Sequence, residues 1–365
     1  MLAAQSGPLH GEDKMQAAPP VARHILGYAD HLGGGGVERA LLLLAGGWIE
    51  AGRRVTLVIR DPHGPLAAEL PRGVVLSQEP LARAVRRLRP DVILCPGNHY
   101  SSQAAWLKLR LGRSCPPIAA RMSNALIRAD QGPMLAWGYR RWLRAHPRLL
   151  DQLVALSPAL RAEAIEVCGI APERVSVIAN PLARPIPGAP PVALPPGRFV
   201  LGVGRLAPQK RWDRLVAALP RLSDRNVTAM VLGEGPERGR LERQAAALGV
   251  GDRLWLPGHA ADPFPALARA AVVALPSDFE GVPGVLREAL SVGTPVVTTE
   301  SSRAIAEIVS DPALGTVVPP GDEVALVAAL DAWLAPGAVR PAPVPQPGEH
   351  AAAEYLALFD QLVGG

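Results

Sequence analysis

The sequence predicts an α/β fold in which two Rossmann-like, doubly wound parallel-sheet domains face a central cleft. The chain has 365 residues, too many for one compact core and suited to two domains. Short runs rich in Val, Ile and Leu alternate with helical segments along both halves, a pattern typical of buried parallel strands. A proline-rich stretch at residues 182–197 interrupts this alternation and predicts an extended linker between the domains.

The first half begins with a βαβ unit: a strand at 24–28, glycines at 33–36, an apolar helix at 37–50 and a strand at 55–59. Further strands are expected at 74–76, 92–95, 118–120, 152–156 and 175–178, and helices at about 80–89, 101–111, 134–146 and 158–168.

The second half repeats this alternation and ends in an amphipathic helix at 349–363, which a second proline-rich stretch could carry back to the first domain. Such sheets bind ligands outside the carboxyl ends of their strands, so we expect function in the cleft. Strands are expected at 199–203, 227–232, 254–256, 272–275, 295–299 and 316–318, and helices at about 212–222, 236–248, 284–292, 303–309 and 322–334.

Composition excludes several classes of protein. A hydrophobic content of 48% excludes a disordered or fibrous chain, and no apolar run reaches the roughly 18 residues of a spanning helix. Residues 1–20 lack a secretory signal, so we expect a disordered N-terminal extension and a cytoplasmic protein. The three cysteines show no metal-binding spacing. Residues 1–182 carry a net charge of +8 and the remainder −3, which alone does not indicate a nucleic-acid partner.

The most informative stretch is SDFEGVPGVLREALSVG at 277–293, between two predicted strands. Glu280 would lie in the loop and Glu288 in the helix, at most about 12 Å apart at 1.5 Å per residue. Gly281 and Gly284 would allow close approach of a ligand, and the free amides at the helix start favour phosphate oxygens. The alternative is structural: Glu280 caps the helix and Glu288 is solvated.

Two further turns follow predicted strands. In GVGRLAPQK, Arg205 and Lys210 could converge on one diphosphate, although a pair of solvated surface cations is the alternative. GEGP at 233–236 opens the next helix and is a weak signal by itself.

Taken in order, GRLAPQK, LGEGP and PSDFEGVPGVLREALSVGTPVV resemble the donor-binding half of retaining GT-B glycosyltransferases of family 4. The resemblance implies an acceptor-binding domain at 21–181 that is completed by the helix at 349–363, a linker at 182–197, and a nucleotide-sugar donor domain at 198–335. It also implies that Arg205 and Lys210 hold the donor diphosphate, that Glu280 contacts the transferred sugar and that Glu288 contacts the ribose. No metal or other cofactor is expected, because the cations and the helix dipole would provide the electrostatic stabilisation. The implied donor site comprises Gly35, Gly36, Gly204, Gly233, Gly235, Gly281, Val282, Pro283, Gly284 and Glu288.

In the first domain, GGGGVER resembles the glycine loop of the same family, in which Gly34–Gly36 permit close approach. A nicotinamide-binding fingerprint is the competing interpretation, but the run lacks the last glycine of G-x-G-x-x-G. Many family members carry a His in contact with the sugar at this point, whereas this chain has ARMSN, so Ser123 or Asn124 could replace the His through hydrogen bonds. His99 is a second candidate, although a single loop histidine is more often incidental.

The segment 134–150 mixes tryptophans and a tyrosine with four arginines, and together with RAVRRLR at 83–89 it makes the first domain basic. Such helices can lie on an anionic membrane surface, and the alternative is a core helix with a solvated cationic face.

The sequence therefore predicts a retaining, metal-independent glycosyltransferase of the hexosyltransferase type. It would move a sugar from a nucleoside-diphosphate sugar to a hydroxyl of a glycan, lipid-linked or lipopolysaccharide-type acceptor, at the inner face of the membrane. The competing hypotheses are a sugar-nucleotide epimerase on the same fold and a non-catalytic binding module.

Overall fold

A computed structural model describes residues 21–33, 35–127 and 132–364 of the chain. The predicted extension at residues 1–20 and the glycine at position 34 lie outside these described residues.

The first sheet has seven parallel strands in the order β3-β2-β1-β4-β5-β6-β7. All of its neighbouring strands pair in parallel, as the runs of apolar residues without alternation predict. The strands are β1 (His24–His31), β2 (Arg54–Asp61), β3 (Val75–Ser77), β4 (Val92–Cys95), β5 (Ile118–Arg121), β6 (Gln152–Ala155) and β7 (Val175–Val177).

The second sheet has six parallel strands in the order β10-β9-β8-β11-β12-β13. They are β8 (Phe199–Val203), β9 (Thr228–Leu232), β10 (Leu254–Gly258), β11 (Val272–Leu275), β12 (Val296–Thr299) and β13 (Gly315–Val318). The predicted fold class is thereby confirmed.

The helices cover the sheets. Those linked to the first sheet are α1 (Gly36–Glu50), α2 (Leu81–Leu88), α3 (Ser101–Leu111), α4 (Pro133–Leu143), α5 (His146–Leu149) and α6 (Pro158–Cys168). Those that follow are α7 (Trp212–Ala218), α8 (Arg238–Ala247), α9 (Phe264–Arg269), α10 (Gly284–Ser291), α11 (Ile305–Ile308), α12 (Glu323–Leu334) and α13 (Ala351–Gly364). None of the helices within the described ranges combines the length and the apolar character needed to cross a bilayer.

One predicted helix is wrong in its extent. The segment predicted as a single helix at 134–146 is divided, because α4 ends at Leu143 and the short helix α5 begins at His146. Pro147 stands at the start of α5, where its missing N–H costs nothing, and its ring restricts the conformation of the residues before it.

The C-terminal helix α13 packs against α1 of the first domain. The buried Trp48 ring lies 5.3 Å from the Phe359 ring, and the Trp48 indole N–H donates to the carbonyl of Ala352. Arg53 and Asp360 add an ion pair of 3.0 Å at the edge of this contact. The end of the chain therefore closes the face of the first sheet that α1 covers.

His146 is buried against the edge of the Trp142 ring, and its Nε2 has no hydrogen-bond partner among the described residues. Burial lowers the pKa of His146 to about 4, so the folded state holds the ring neutral. As pH falls from about 6.5 to about 4, His146 binds a proton in the unfolded chain but stays largely unprotonated in the folded state. We expect this to lower the free energy of unfolding by about 3 kcal/mol.

Urea unfolding of the wild type and of His146→Leu, measured between pH 7 and pH 4, tests this expectation. The variant should lose less stability over this range, whereas His350→Leu, which changes an exposed histidine, should follow the wild type. Identical pH profiles for the wild type and His146→Leu would contradict the proposed neutral ring.

Candidate active site

The site lies at the carboxyl ends of β8 and β11, which are neighbours at the centre of the second sheet. The chain leaves β8 towards β9 on one side, whereas β11 continues towards β12 on the other. Turns that follow two such strands diverge and leave a crevice between them. The turn 204–210 after β8 and the loop 276–283 after β11 border this crevice.

Lys210 and Glu280 meet in this crevice although 70 positions separate them in sequence. Lys210 Nζ donates to Glu280 Oε1 at 2.7 Å, and Ser277 Oγ donates to the same oxygen at 2.6 Å. The Glu280 and Ser277 side chains are buried, and that of Lys210 is 19% exposed. A buried carboxylate held by a cation and a hydroxyl is fixed in orientation. If either hydrogen bond broke, the buried groups would keep their desolvation penalty and lose the interaction that offsets it.

Two hydrogen bonds between Gln209 and the loop 276–283 hold the two turns together. Gln209 Nε2 donates to the carbonyl of Phe279 at 2.7 Å, and the N–H of Asp278 donates to the carbonyl of Gln209 at 3.0 Å. The interpretation of Glu280 as a helix cap is wrong, since Pro283 occupies the N-cap position of α10 and the Glu280 side chain makes no capping hydrogen bond there.

Arg205 differs from Lys210 in having an exposed side chain with no ion pair among the described residues. Its carbonyl accepts from the indole N–H of Trp212 at 3.1 Å and from the N–H of Ala207. Burial lowers the pKa of His99 in the first domain, and the nearby Arg205 charge adds to this effect. The charge of Arg205 therefore acts on His99 of the first domain.

Close packing explains why the GEGP turn has glycines at two positions. Gly233 and Gly235 have φ angles of 151° and 159°. A Cβ on Gly233 would lie 2.1 Å from the carbonyl oxygen of Gly204, and one on Gly235 would lie 2.3 Å from that of Leu206. These glycines let the turn after β9 lie directly on the turn after β8 and so shape the crevice.

Glu288 lies one turn inside α10, as the sequence predicts. A Cβ on Gly284 would be 3.4 Å from Glu288 Oε1, so the carboxylate bends back towards the start of the helix. Burial raises the pKa of Glu288, and Arg39 of α1 opposes this shift. Arg39 also crosses the cleft to donate to the carbonyl of Ala261 at 2.7 Å. Glu288 is therefore not the fully solvated helix residue of the structural alternative.

Ser123 and Asn124 follow β5 and are tied to the loop after β4. Asn98 donates its N–H to Ser123 Oγ at 3.2 Å and its side-chain amide to the carbonyl of Asn124 at 2.9 Å. In return, Asn98 Oδ1 accepts from the N–H of Ser123 at 2.8 Å. Sequence reasoning did not select Asn98, because an isolated Asn in a loop gives no signal until its partners are known.

The donor-side loop packs directly on these residues. The N–H of Ala125 donates to the carbonyl of Glu280 at 2.9 Å, and a Cβ on Gly281 would lie 2.3 Å from the carbonyl oxygen of Ser123. The sequence analysis expected a ligand to approach Gly281 closely. In the structure, the backbone of the first domain lies against Gly281 instead. Asn180, near the linker, adds a contact from its Nδ2 to the carbonyl of Val282 at 3.5 Å.

This contact makes Gly281→Ala a test of the domain interface. The added methyl group cannot fit between the two backbones, so we expect the free energy of unfolding to fall by about 1–3 kcal/mol in urea denaturation. Gly138→Ala is the matched control, since a Cβ at Gly138 in α4 meets no described residue within 4 Å. This variant should keep or slightly raise stability. Equal stability of Gly281→Ala and the wild type would show that the loop moves away without cost.

Gly35 and Gly36 start α1 on the other side of the cleft. Gly35 is the N-cap in an extended conformation, and a Cβ there would lie 2.3 Å from Glu38 Oε2. A Cβ at Gly36 would meet none of the described residues within 4 Å, so they leave space at the start of α1. Glu38 is buried and accepts from the Tyr100 hydroxyl at 3.0 Å, and His99 Nε2 lies 3.9 Å from the same carboxylate.

Comparisons with known proteins identify the family of this chain. Residues 197–335 match the model described as Glycosyl transferases group 1, and residues 34–183 match the model described as Glycosyltransferase Family 4. The 2-deoxystreptamine N-acetyl-D-glucosaminyltransferase of Streptomyces fradiae is 31% identical over 305 residues, which cover 74% of this chain and 71% of that protein. The chain belongs to glycosyltransferase family 4.

Other relatives match over shorter lengths. The match spans 26% of the exopolysaccharide phosphotransferase SCO2592 of Streptomyces coelicolor, at 30% identity over 70% of this chain. It spans 29% of the lipopolysaccharide core biosynthesis glycosyltransferase LpsE of Rhizobium meliloti, at 36% identity over 28% of this chain. This family 4 chain thus covers less than a third of the length of either protein.

A solved structure of similar fold is that of Alr3699/HepE from Anabaena in complex with UDP and glucose. It is 20% identical, with a TM-score of 0.69 over 93% of this chain and 98% of that chain. At this identity, the likeness supports the GT-B fold of the family 4 chain.

Proposed function

We propose that this family 4 protein transfers a sugar from a nucleoside-diphosphate sugar to a hydroxyl group of a glycan or lipid-linked acceptor. The observation that carries the proposal is the contact of 2.7 Å between Lys210 and Glu280 in the cleft. The turn that carries Lys210 also carries Arg205, whose exposed side chain has no ion pair within the described ranges. A cluster with one fixed carboxylate and two cations matches a ligand that combines sugar hydroxyls with a diphosphate.

In the proposed reaction, the bond between the anomeric carbon of the sugar and the diphosphate oxygen breaks. The acceptor oxygen forms the new bond on the same face of the sugar, so the configuration is retained. The acceptor proton passes to the leaving phosphate oxygen, and this transfer needs no separate protein base. Arg205 and Lys210 stabilise the charge that develops on the diphosphate, so the proposal requires no metal ion.

The remaining residues receive roles from the family resemblance and from their positions. Glu280 binds hydroxyls of the transferred sugar, and Glu288 binds the ribose. The amides at the start of α10, after Val282 and Pro283, add to the phosphate site. Ser123 and Asn124, held by Asn98 beside Gly281, contribute hydrogen bonds next to the transferred sugar.

The relatives guide the proposed substrates. The structure of Alr3699/HepE holds UDP-glucose, and LpsE is named for lipopolysaccharide core biosynthesis. We propose that this chain uses a donor of the same class and a glycan, lipid-linked or lipopolysaccharide-type acceptor. Such an acceptor would place the enzyme in the cytoplasm, at the inner face of the membrane.

The first experiment is thermal unfolding of the purified protein with UDP, GDP, ADP, CMP or NAD. A ligand that binds only the native state raises the free energy of unfolding, by about 2.7 kcal/mol when its concentration is 100 times its Kd. The melting temperature rises as a result. We expect one nucleoside diphosphate to stabilise the protein. Stabilisation by NAD alone would overturn the proposal in favour of a dinucleotide site.

Product analysis then separates the two competing hypotheses. A transferase consumes its nucleotide sugar to glycosylate an added acceptor, whereas an epimerase converts the nucleotide sugar without any acceptor. Nucleotide binding without either reaction, across donors and acceptors, would favour the non-catalytic binding module.

A further inference from the structure

A strongly basic segment covers one side of the first domain. Between residues 81 and 150 the sequence has 13 arginines and lysines and only two acidic residues, Asp91 and Asp130. This segment alone carries a net charge of +11, whereas the whole chain carries +5. Its positive charge therefore exceeds what the overall composition indicates.

The sheet topology brings the helices of this segment to one face. The connections β3 to β4, β4 to β5 and β5 to β6 all step in the same direction along the sheet. Since such crossovers are right-handed, α2, α3 and the α4–α5 segment lie on the same face. The connection β1 to β2 steps the other way, so α1 and the α13 helix that packs on it cover the opposite face.

A cavity of 540 Å³ opens between α2 and α3, and its walls include Arg83, Arg86, Arg87 and Arg110. Arg87 is paired with Glu79, and the charge of Arg83 also acts on this carboxylate. Arg86 and Arg110 have no acidic partner among the described residues. The Arg110 guanidinium lies 5.2 Å above the ring of Trp106, which also lines the cavity. The cavity thus offers an anion an aromatic face and two cations, Arg86 and Arg110, that lack an acidic partner in the described part of the chain.

Large apolar side chains are exposed on the same face. In α3, Trp106 is 52% exposed and Leu109 is 74% exposed. In α4, the exposed fractions are 84% for Met134, 73% for Leu135 and 64% for Trp137. The guanidinium of Arg141 lies 5.3 Å above the Trp137 ring. Adjacent exposed apolar side chains with a cationic border mark a contact surface rather than ordinary protein surface.

We propose that the surface formed by α2, α3 and α4 binds the headgroup region of a bilayer that contains anionic phospholipids. The cavity arginines bind lipid phosphates, and Met134, Leu135 and Trp137 enter the boundary between headgroups and acyl chains. A nucleic acid would match the charge but not the exposed Met and Leu side chains. This inference deepens the proposed function, on which it rests only for the delivery of a lipid-linked acceptor to the cleft.

The test is sedimentation of the full chain with vesicles of phosphatidylcholine, with or without phosphatidylglycerol, in the absence of donor and acceptor. We expect binding only to the vesicles with phosphatidylglycerol, and weaker binding at high salt. The double variant Arg86→Glu/Arg110→Glu should bind at least about tenfold more weakly, because each cation near an anionic surface contributes about fivefold to binding. Leu135→Ser/Trp137→Ser should also bind more weakly, since it removes apolar contact without changing charge.

Matched controls lie in the donor half of the chain. Arg243→Glu changes an exposed arginine of α8, and Val324→Ser/Val339→Ser removes two exposed apolar side chains. These variants should bind vesicles like the wild type. Three results would overturn the proposal. The wild type could bind both kinds of vesicle equally, the surface variants could bind like the wild type, or the control variants could lose as much vesicle binding as the surface variants. Binding of glycerol 3-phosphate or an oligonucleotide without any binding to vesicles would also overturn it.

The nucleotide experiment keeps the two proposals distinguishable. The surface variants should keep the melting-temperature shift with the nucleoside diphosphate, because their substitutions lie outside the cleft. If the wild type fails to bind vesicles but responds to the nucleotide, only the membrane proposal is overturned. If it binds vesicles but no nucleotide, only the proposed function is overturned.

Discussion

Replacing Glu280 with glutamine is expected to lower the rate of sugar transfer at least about 100-fold, the usual cost of removing one group that acts in the transition state. Glutamine has nearly the same shape but carries no charge, so it cannot neutralise Lys210 at 2.7 Å or accept strongly from Ser277. It would also weaken the contact with sugar hydroxyls. Initial rates with a nucleotide sugar and a glycan acceptor measure the effect.

Glu242→Gln is the control for this variant. Glu242 pairs with Arg238 at 3.3 Å on the outer side of α8, so the same chemical change is made there on an exposed ion pair. An exposed pair contributes roughly 0–1 kcal/mol, and this variant should keep wild-type rates. Wild-type activity of Glu280→Gln, in a protein that binds nucleotide normally, would remove Glu280 from the proposed mechanism.

Replacing Lys210 with alanine is expected to abolish the stabilisation of the protein by a nucleoside diphosphate. Its Nζ is the partly buried cation of the crevice, and its loss would leave the buried Glu280 carboxylate facing the diphosphate without compensation. Two like charges in such a site repel each other, so both nucleotide affinity and transfer should fall, with transfer reduced at least about 100-fold. Melting curves with increasing nucleotide and initial rates measure the two effects.

The chain offers a closely matched control in Lys108→Ala. Lys108 also forms a short ion pair with a carboxylate, at 2.6 Å from Asp151, and its side chain is 25% exposed against 19% for Lys210. It lies in α3 rather than in the cleft. If both variants lose the nucleotide response equally, the effect is a general loss of stability; if neither loses it, Lys210 does not hold the diphosphate.

Much of the fold follows from local patterns in the sequence. Apolar runs such as 199–203 and 272–275 need no distant information, since a strand buried on both faces must be apolar at every position. The division of 134–146 into two helices was missed because a short helix can restart at a proline, and only packing shows where it does.

The same distinction applies to the candidate site. Sequence spacing selects Arg205, Lys210 and Glu280, because they stand in turns that follow parallel strands, where ligands bind. It selects Glu288 in the helix that follows the second of these turns. It does not select Ser277, Asn98 or Arg39, whose contacts join segments that are distant in sequence. A serine or an asparagine in a loop is common, so only its position in space reveals the residue it supports.

The sequence by itself thus determined the fold class, the family and the cations and carboxylates of the cleft, since each depends on residues close together along the chain. The tertiary structure decided which of these groups meet: Lys210 with Glu280, the Gly281 loop with the backbone of Ser123, and three basic helices on one face of the first sheet. The physical reason is that strand order and the hand of the crossovers, rather than sequence distance, set which side chains become neighbours.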